Sequence, residues 1–481
     1  MNILFASSEV FPFAKTGGLA DVLAALPRAL SKRAHKCRII LPFYKCVREN
    51  GFTPEVFQKG ITFKIGAKEE QFSLYLLQHN GIDVYFVYKD EYFEREYLYG
   101  TPHGDYPDNA LRFGFFAKAV IASLPYIGKQ DILHCNDWQC GLIPLYIKLL
   151  HGRDPEFINI KILFSIHNLA YQGTFERGFM GPLGIPESLF IPDMLEFYGK
   201  LNFMKTGILY ADAVNTVSEG YRNEILTPEF GCGMDGLLRT REKDLYGIIN
   251  GADYSVWSPA IDKFIAKNYS GTDLAGKEIC KKDVLKEFGI KGDLKKPLIG
   301  MVSRLAEQKG IDLVAEGMEQ ILKLDVNFIL LGFGDRKYND IFAGLAAKYK
   351  KYMGVKIGFD NKLAHKITAG ADMFLIPSRY EPCGLNQLYS LKYATVPIVR
   401  RVGGLNETIE KFNPVRKVGN GFKFKEATTK AMLECIKSAV AVFEDKRLWR
   451  VLLNNCLSCD YSWDSSAEKY ERLYRRLKSG S

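Results

Sequence analysis

Three cations and one carboxylate stand at turns between predicted strands and helices. Lys15 precedes two glycines in KTGGLADV, and Arg304 and Lys309 bracket the turn in SRLAEQKG. Glu381 follows a predicted strand in LIPSRYEPCGLNQL. A cation at a helix N-terminus opposes the helix dipole by a few tenths to about 1 kcal/mol, so we expect an anion beside it. These residue types predict a phosphate or diphosphate site with a carboxylate close to it.

The Lys15 turn follows the buried strand MNILFAS and precedes a helix with apolar residues at helical spacing. Glycines such as Gly18 let backbone N–H groups approach a ligand because no Cβ intervenes, and a helix N-terminus suits an anion. Glycine in such turns is also common for steric reasons alone. Lys15, Arg304 and Lys309 together would supply three cations to a pyrophosphate, each close pair worth up to about 4 kcal/mol before desolvation at an effective dielectric of about 20.

The turns at Lys309 and Glu381 each have a second, purely structural interpretation. Glu307 could neutralise the first turn without a ligand, and a carboxylate just before a helix, such as Glu381, is often a cap. In the functional interpretation, Glu381 lies beside the anion and the backbone N–H groups after Pro382 bind it. These N–H groups belong to Cys383, Gly384 and Leu385.

Two further polar residues stand at the ends of predicted strands in the first half of the chain. Asp137 lies in LHCNDWQCG and His167 in SIHNLAYQG. At the carboxyl ends of parallel strands they would contact a bound sugar. The alternative is that each makes only local hydrogen bonds, which is common for such residues.

Other kinds of site find little support in the sequence. GFGDRK lacks the third glycine of a dinucleotide fingerprint, and the phosphate loop G-x-x-x-x-G-K-[ST] does not occur. The ten cysteines are scattered, and the close pair Cys456 and Cys459 has no second pair or histidines at zinc spacing. We therefore expect reduced thiols, no metal site and no cofactor.

Composition excludes several classes of protein. The 481 residues are 47% apolar and 25% charged, and no stretch as long as a membrane helix lacks charges, so we expect no membrane span. The net charge of +10 comes from interspersed residues, which argues against a nucleic-acid partner. The start, MNILFASSE, has no basic region before its apolar run, so we expect a cytosolic protein, or one of the plastid stroma if a transit peptide was removed.

The elements that must position these residues form two series of alternating strands and helices. Such alternation predicts an α/β fold with two doubly wound Rossmann-like domains, and the carboxyl ends of their strands would face a central cleft that binds the ligand. We place the first domain at 1–250 and the second at 251–460, with the helix at 461–481 packing back on the first. The lysine-rich stretch within 251–296 predicts a connecting segment with exposed helices.

With these segments assembled, the chain resembles the bacterial glycogen synthases and plant starch synthases, retaining nucleotide-sugar glucosyltransferases of GT-B fold. The similar motifs run in order along nearly the whole chain. They include KTGGLADV, DNALRFGFF, HNLAYQGTF, YADAVNTVS, TPEFGCGMDGLLR, GIINGADYSVWSP, SRLAEQKG, PSRYEPCGLNQLYSLKYA and VGGLNETI.

The resemblance implies transfer of glucose from ADP-glucose, with UDP-glucose as the alternative donor, to the non-reducing end of an α-1,4-glucan with retention. It implies that Lys15 lies at the donor, that Arg304 and Lys309 hold its phosphates, and that Glu381 acts close to the transferring glucose. The motif positions that line the sugar site, carried over by resemblance, are His167, Asp137 and Asn250. No metal is implied.

The chain departs from the family pattern at several positions. Asn386 stands where Thr or Ile is usual, Val402 where Thr is usual and Glu407 where Asp is usual. Tyr389 occupies the place of a second glutamate found in related transferases. We expect these departures to affect the geometry of donor binding more than the reaction itself. Two other interpretations remain: a nucleotide-sugar epimerase or sucrose-type synthase of the same fold, and a glucan-binding scaffold without turnover.

Overall fold

Two large sheets organise the chain, a mostly parallel one in unit 1 and a parallel one in unit 2. The computed structural model describes residues 1–150, 154–155, 157–291 and 293–479. Unit 1 comprises Met1–Val217, Arg222–Ile248 and Trp463–Ser481. Unit 2 comprises Ser218–Tyr221 and Ile249–Ser462.

Unit 1 is built on a nine-stranded sheet in the order β14-β13-β9-β8-β1-β2-β5-β4-β3. Its strands are parallel from β14 to β5, and β3 and β4 add an antiparallel hairpin at the edge. The strands are β1 (Asn2–Ala6), β2 (Lys36–Pro42), β3 (Glu55–Ile65), β4 (Lys68–His79), β5 (Ile82–Tyr88), β6 (Gly100–Thr101), β7 (Gly104–Asp105), β8 (Ile132–Asn136), β9 (Lys161–Ile166), β10 (Thr174–Phe175), β11 (Glu196–Phe197), β12 (Lys200–Asn202), β13 (Ala213–Thr216) and β14 (Leu245–Gly247). Two small antiparallel sheets, β10-β12-β11 and β6-β7, complete it.

The helices of unit 1 include α1, which buries its apolar face as the helical spacing predicted. The helices are α1 (Gly18–Ser31), α2 (Lys45–Glu49), α3 (Asp90–Phe93), α4 (Asn109–Ile127), α5 (Leu142–Leu150), α6 (Phe203–Tyr210), α7 (Glu219–Ile225) and α8 (Asp235–Thr240). Helix α7 begins in the short segment of unit 2 and continues into unit 1. In α1 the predicted apolar stripe, Leu19 to Leu30, is buried. By length and composition α4 could cross a membrane, but 72% of it is buried inside the protein, which is typical of a core helix.

Unit 2 is built on a six-stranded parallel sheet in the order β17-β16-β15-β18-β19-β20. The strands are β15 (Leu298–Leu305), β16 (Asn327–Gly334), β17 (Met353–Ile357), β18 (Met373–Ile376), β19 (Val396–Arg400) and β20 (Phe422–Phe424). The helices are α9 (Ala275–Glu287), α10 (Ile311–Leu322), α11 (Arg336–Lys348), α12 (Asn361–Gly370), α13 (Asn386–Lys392), α14 (Gly403–Thr408), α15 (Thr429–Glu444) and α16 (Lys446–Leu457). The strands of this sheet and the helices around it share one hydrophobic core.

The lysine-rich stretch before β15 corrects one expectation. Its helix α9 was predicted to be exposed, yet Lys277 and Lys281 are buried. The Lys277 ammonium donates to the carbonyls of Ala369 and Tyr393, both at 3.0 Å, and Lys281 donates to the Asp372 carboxylate at 2.6 Å. Burial lowers the pKa of Lys277 to about 8. Because carbonyls and a carboxylate satisfy these ammonium groups, a polar helix face packs inside unit 2.

The last helix, α17 (Trp463–Ser479), returns to unit 1 and packs on α1. Tyr470 and Tyr474 of this helix are fully buried. The Tyr474 hydroxyl lies 2.8 Å from Nδ1 of His134 in β8, and the Tyr470 hydroxyl accepts from Asn215 in β13 at 3.1 Å. Burial lowers the pKa of His134 to about 3. The contacts fix α17 to unit 1 through neutral polar groups.

Candidate active site

In unit 2, Lys309 and Glu381 form a buried ion pair although they are 72 residues apart in sequence. The Lys309 Nζ lies 2.9 Å from Oε1 and 2.7 Å from Oε2 of Glu381, and the Ser378 hydroxyl donates to Oε2 at 2.8 Å. Only 18% of the Lys309 side chain and 11% of the Glu381 side chain are exposed. The two predicted site residues are therefore together, and the Glu381 side chain binds a cation instead of capping a helix.

The turns that carry this pair are tied to each other by backbone and side-chain contacts. Arg379 N donates to Gln308 O at 2.7 Å, and Gln308 Nε2 donates to Tyr380 O at 3.3 Å. Gly310, with φ of +66°, lies so close to Pro377 that a Cβ there would meet its carbonyl oxygen at 2.2 Å. The position of Lys309 relative to Glu381 is thus set by the fold.

Arg304, also predicted to belong to the site, lies near the end of β15, just before the turn that carries Lys309, and is not in the ion pair. It is exposed, and its Nη2 donates to Oε1 of Gln308 at 3.1 Å. Glu307 was the alternative partner for Arg304 and Lys309. Its side chain is 74% exposed, and its Oε1 lies 4.0 Å from Nε of Arg379. Arg304 therefore keeps its guanidinium at the surface, beside the turn that carries Lys309.

The backbone after Glu381 shapes the segment that was predicted to bind an anion. Gly384 has φ of +72°, and the Gln387 side chain donates to the carbonyls of Cys383 and Gly384, both at 3.0 Å. Among the described residues none accepts a hydrogen bond from the backbone N–H groups of Cys383, Gly384 and Leu385. These three N–H groups are therefore available to a ligand.

Asn250 belongs to the same unit and lies against Cys383. It is 5% exposed, and its Oδ1 has no hydrogen-bond partner within the described ranges. Burial raises the pKa of the Cys383 thiol, and hydrogen bonding to Asn250 opposes that rise. A buried acceptor without a partner is costly, so Asn250 is a strong candidate for contact with a ligand hydroxyl.

The residues that depart from the family pattern have partners inside unit 2. Asn386 Nδ2 donates to Val302 O at 2.9 Å, and the Glu407 carboxylate accepts from the backbone N of Glu219 at 2.7 Å. Tyr389 stacks on Trp257 with ring centroids 4.1 Å apart and an interplanar angle of 4°. The tyrosine at the second glutamate position is therefore a packing residue.

In unit 1, a buried carboxylate that the sequence analysis did not single out holds the KTGG loop. Glu9 is 4% exposed and accepts from Thr16 N at 2.5 Å, from Gly17 N at 3.0 Å and from the Thr16 hydroxyl at 2.6 Å. The Tyr99 hydroxyl donates to it at 2.8 Å. The Gly17 N–H thus binds an anion supplied by the protein, so the expectation that the loop's N–H groups reach a ligand applies at most to Gly18.

Lys15 and the two glycines of this loop have few contacts. The Lys15 Nζ lies 2.6 Å from Oδ1 of Asp21, and 38% of the lysine side chain is exposed. Burial of the Asp21 carboxyl raises its pKa, and Lys15 opposes that rise. An added Cβ at Gly17 or Gly18 would meet no described atom within 4 Å. Packing within the protein does not demand glycine at either position.

Asp137 and His167 lie together at the carboxyl ends of β8 and β9. Asp137 Oδ1 accepts from His167 N at 2.7 Å, and His167 Nε2 lies 3.0 Å from Oδ1 of Asn136. Asp137 has φ of +57°, an uncommon conformation for a residue other than glycine. Burial raises the pKa of Asp137 to about 7 and lowers that of His167 to about 3. A strained residue with a perturbed carboxyl is typical of a functional site.

Two exposed aromatic residues of unit 2 escaped the sequence analysis. Phe333, at the carboxyl end of β16, is 62% exposed, and Phe359, which follows β17, is 90% exposed. Both lie at the strand ends where open α/β sheets bind ligands. The signal in the sequence was a phenylalanine beside glycine at the end of each apolar run, in GFG at the end of β16 and in GF directly after β17. The described part of the chain holds no cluster of His, Cys, Asp or Glu that could bind a metal ion.

Comparison with known proteins identifies the family. The profile of the starch synthase catalytic domain matches residues 2–240, and that of glycosyl transferases group 1 matches residues 286–446. The chain is 46% identical over 483 residues to a glycogen synthase of Koribacter versatilis, covering 99% of this chain and 98% of the relative. It is 47% identical over 476 residues to a glycogen synthase of Geotalea daltonii, with the same coverage.

A solved structure extends the comparison to the fold. The catalytic domain of starch synthase IV from Arabidopsis thaliana, bound to ADP and acarbose, matches with a TM-score of 0.90 and 31% identity over 99% of both chains. A sucrose-phosphate synthase from Thermosynechococcus elongatus, 16% identical with a TM-score of 0.60, shares the fold alone. The predicted α/β class with two Rossmann-like sheets is confirmed. The chain belongs to the glycogen synthase and starch synthase family of GT-B glucosyltransferases.

Proposed function

We propose that the protein transfers glucose from ADP-glucose to the non-reducing end of an α-1,4-glucan with retention of configuration. The observation that carries the proposal is the buried Lys309–Glu381 pair, held by two connected turns in a chain of this family. The ADP in the solved starch synthase IV supports a nucleotide donor of this kind.

The donor's diphosphate would bind where unit 2 offers cations and free N–H groups. Lys309 and Arg304 supply positive charge, and the segment Cys383 to Leu385 supplies backbone donors. When the bond to glucose breaks, negative charge grows on the departing phosphate, and fixed donors in a site with little water stabilise it strongly. The same groups therefore bind the donor and lower the barrier.

The reaction would proceed by displacement on one face of the sugar. A retaining glycosidase uses two carboxylates about 5 Å apart, one of them as a nucleophile. Here Tyr389 replaces the second glutamate and packs on Trp257, which leaves Glu381 as the candidate carboxylate of unit 2. The acceptor 4-hydroxyl oxygen forms the new bond to the anomeric carbon, the bond to phosphate breaks, and the departing phosphate takes the hydroxyl proton. Glu381, held by Lys309 and Ser378, orients the transferring glucose.

The nucleobase would contact the exposed aromatic residues Phe333 and Phe359. Their rings lie at the carboxyl ends of neighbouring strands, and planar bases stack favourably on aromatic faces. Such stacking is tolerant of base identity. Phe359→Ala should therefore weaken the binding of ADP and of UDP alike.

Lys15 would bind the same donor, as the KTGG resemblance implies. Its pairing with Asp21 is partly exposed, and pairs of this kind are worth about 0 to 1 kcal/mol. The ammonium can therefore leave Asp21 for a phosphate at small cost. The open space above Gly17 and Gly18 supports close approach of a ligand to this loop.

The experiment that tests the proposal compares two radiolabelled donors, ADP-glucose and UDP-glucose, with glycogen as acceptor. We expect label in the polymer with ADP-glucose and a lower rate with UDP-glucose at equal concentrations. A higher rate with UDP-glucose would overturn the donor assignment. Absence of label with both donors, together with retarded migration in a glycogen gel, would show a glucan-binding scaffold instead.

A further inference from the structure

Three aromatic rings of unit 2 form a stacked column with Trp257 in it. The centroid of its indole lies 3.6 Å from that of the His365 ring, with an interplanar angle of 12°. It lies 4.1 Å from that of the Tyr389 ring, with an interplanar angle of 4°. Two rings this close and nearly parallel to the indole would overlap if they shared one face, so they lie on opposite faces. Trp257 is therefore the central ring of the column.

Hydrogen bonds close this column into a ring of five side chains. His365 Nδ1 lies 2.7 Å from Oδ2 of Asp262, and the Tyr393 hydroxyl donates to the same oxygen at 2.6 Å. Tyr389 lies in α13 and Tyr393 follows its end four residues later, so the two tyrosines share one face of the helix. The ring thus starts and ends on α13 and fixes the rotation of this helix.

The polar groups of the ring supply orientation more than stability. The side chains of Asp262 and His365 are each 1% exposed. Burial opposes ionisation of the Asp262 carboxyl, but hydrogen bonds from His365 and Tyr393 outweigh it and hold its pKa below the usual range. Apolar side chains of similar size often replace such buried pairs without loss of stability. A satisfied buried network, by contrast, specifies one arrangement of its members.

The column joins two segments that carry candidate site residues. Trp257 lies seven residues after Asn250, in the segment GIINGADYSVWSP. Tyr389 lies eight residues after Glu381, on the helix that follows the Glu381 turn. Ala252 of the first segment and Tyr389 of the second belong to one small apolar cluster, against which Trp257 packs. The stack therefore sets how the segment of Asn250 lies against the segment of Glu381.

We propose that Trp257 is a positioning residue for the transfer reaction, which holds Asn250 and Glu381 so that both side chains meet the same donor sugar. The inference rests on the proposed function, because the contact of these two residues with the sugar is part of it. ADP lacks the transferred glucose. Loss of the indole therefore lowers the rate of transfer and leaves the binding of ADP nearly unchanged.

The test uses the full-length protein and three tryptophan variants. Trp257→Leu removes the flat ring, and Trp257→Phe keeps one. Trp449→Leu is the control, because Trp449 is another tryptophan of unit 2 and is 7% exposed on α16. Calorimetric titration with ADP counts the folded sites, so that each kcat refers to folded protein. We expect kcat to fall about 20-fold for Trp257→Leu and less than about threefold for the other two, with the Kd of ADP within about threefold throughout.

A double-mutant cycle separates positioning from general damage. If Trp257 acts through Asn250, then Trp257→Leu costs little more in a protein that already carries Asn250→Ala. We expect each single variant and the double variant to lose about 20-fold in kcat, whereas independent effects would multiply to about 400-fold. Tyr389→Leu, which removes an outer ring of the column, enters the same cycle if Trp257→Leu does not fold. A multiplied loss in the double variant, or a wild-type kcat in Trp257→Leu, would overturn the proposal.

Amide hydrogen exchange tests the same contact without a donor. In Trp257→Leu, and not in Trp449→Leu, we expect exchange about tenfold faster in both segments, residues 250–256 and 386–392. Unchanged exchange in either segment would also overturn the proposal. A wild-type protein that transfers glucose from neither donor would contradict the proposed function instead, and the exchange rates would still decide whether Trp257 holds the two segments together.

Discussion

The glycine pairs of the two units serve different purposes. In unit 2, a Cβ at Gly403 would lie 2.1 Å from the Glu381 carbonyl oxygen, and one at Gly404 would lie 2.2 Å from that of Cys383. In unit 1, a Cβ at Gly17 or Gly18 would meet no described atom within 4 Å. The fold itself requires glycine in unit 2, whereas in unit 1 only a ligand would.

The charged residues beside these glycines differ in the same way. Lys309 and Glu381 are mostly buried, and hydrogen bonds between their turns fix them. Lys15 is more than a third exposed and pairs with a residue six positions away. The contrast indicates that the fold of unit 2 fixes the Lys309–Glu381 pair in place, while the partly exposed Lys15 side chain can rearrange.

The largest effect is expected at the carboxylate of unit 2. Glu381→Gln keeps an acceptor for the Ser378 hydroxyl but removes the charge, and we expect glucosyl transfer to fall about 1000-fold or more. Transfer to glycogen and ADP binding by calorimetry are measured on the same preparation. Glu307→Gln, an exposed glutamate of the Lys309 turn, should stay within twofold of wild type. A Glu381→Gln enzyme with a tenth of normal activity would remove this residue from the reaction.

The glycine pairs give the next largest effect, and it falls on stability. Gly404→Ala forces a Cβ against a backbone oxygen, so we expect a loss of about 3 kcal/mol in the free energy of unfolding. Gly18 stands at the start of α1, and Gly18→Ala should change the free energy of unfolding by no more than about 1 kcal/mol. The same variant should raise the KM for ADP-glucose at least tenfold. Urea unfolding measures the free energy of unfolding of each variant, and donor kinetics measure its KM for ADP-glucose. Equal stability losses would show that the contrast between the units is wrong.

A smaller loss is expected when the carboxylate beneath the KTGG loop is neutralised. Glu9→Gln turns one acceptor into a donor facing donors, which costs about 1 to 3 kcal/mol. We expect a lower midpoint of thermal unfolding and a raised KM for the donor. Glu69→Gln, an exposed glutamate of β4, is the control. Unchanged donor kinetics in a destabilised Glu9→Gln protein would show that the loop position is irrelevant to the donor.

The smallest effect concerns pH. Burial lowers the pKa of His134 and of His167 to about 3, so between pH 3 and 6.5 each of these two histidines binds more protons in the unfolded chain than in the folded one. Each such histidine contributes stability that is fully present above pH 6.5 and falls by about 1.4 kcal/mol per pH unit as the pH is lowered toward 3. His134→Gln should remove this histidine's share of the pH dependence. The free energy of unfolding should then fall less steeply with decreasing pH, by about 1.4 kcal/mol per pH unit. The exposed His103→Gln should leave it unchanged.

Periodicity and turn residues were sufficient to predict most of the fold. Apolar runs such as ILFA in β1 and the stripe from Leu19 to Leu30 in α1 are local patterns, and the structure buries both. Lys277 and Lys281 were misassigned to an exposed helix because composition cannot show which carbonyls lie nearby. Those partners, at Ala369, Tyr393 and Asp372, are about a hundred residues away in sequence.

The candidate site was predictable where a charged residue stood in a turn with a recognisable motif. Lys309 and Glu381 could be named in this way, but their direct pairing depends on how two turns pack together. The role of Glu9 was not predictable, because SSEVF reads as the end of a buried strand and only the folded loop brings its carboxylate to Thr16 and Gly17. Phe359 escaped notice because exposure of an apolar side chain is a tertiary property.

We propose that the buried Lys309–Glu381 pair of unit 2 carries the transfer step, while Lys15 of unit 1 contributes mainly to donor binding. The most direct measurement is the rate of glucose transfer to glycogen at saturating ADP-glucose for Lys309→Ala and Lys15→Ala. We expect a fall of about 100-fold or more for Lys309→Ala and of less than tenfold for Lys15→Ala, whose defect lies in KM. A wild-type rate in Lys309→Ala, or the larger fall in Lys15→Ala, would contradict it.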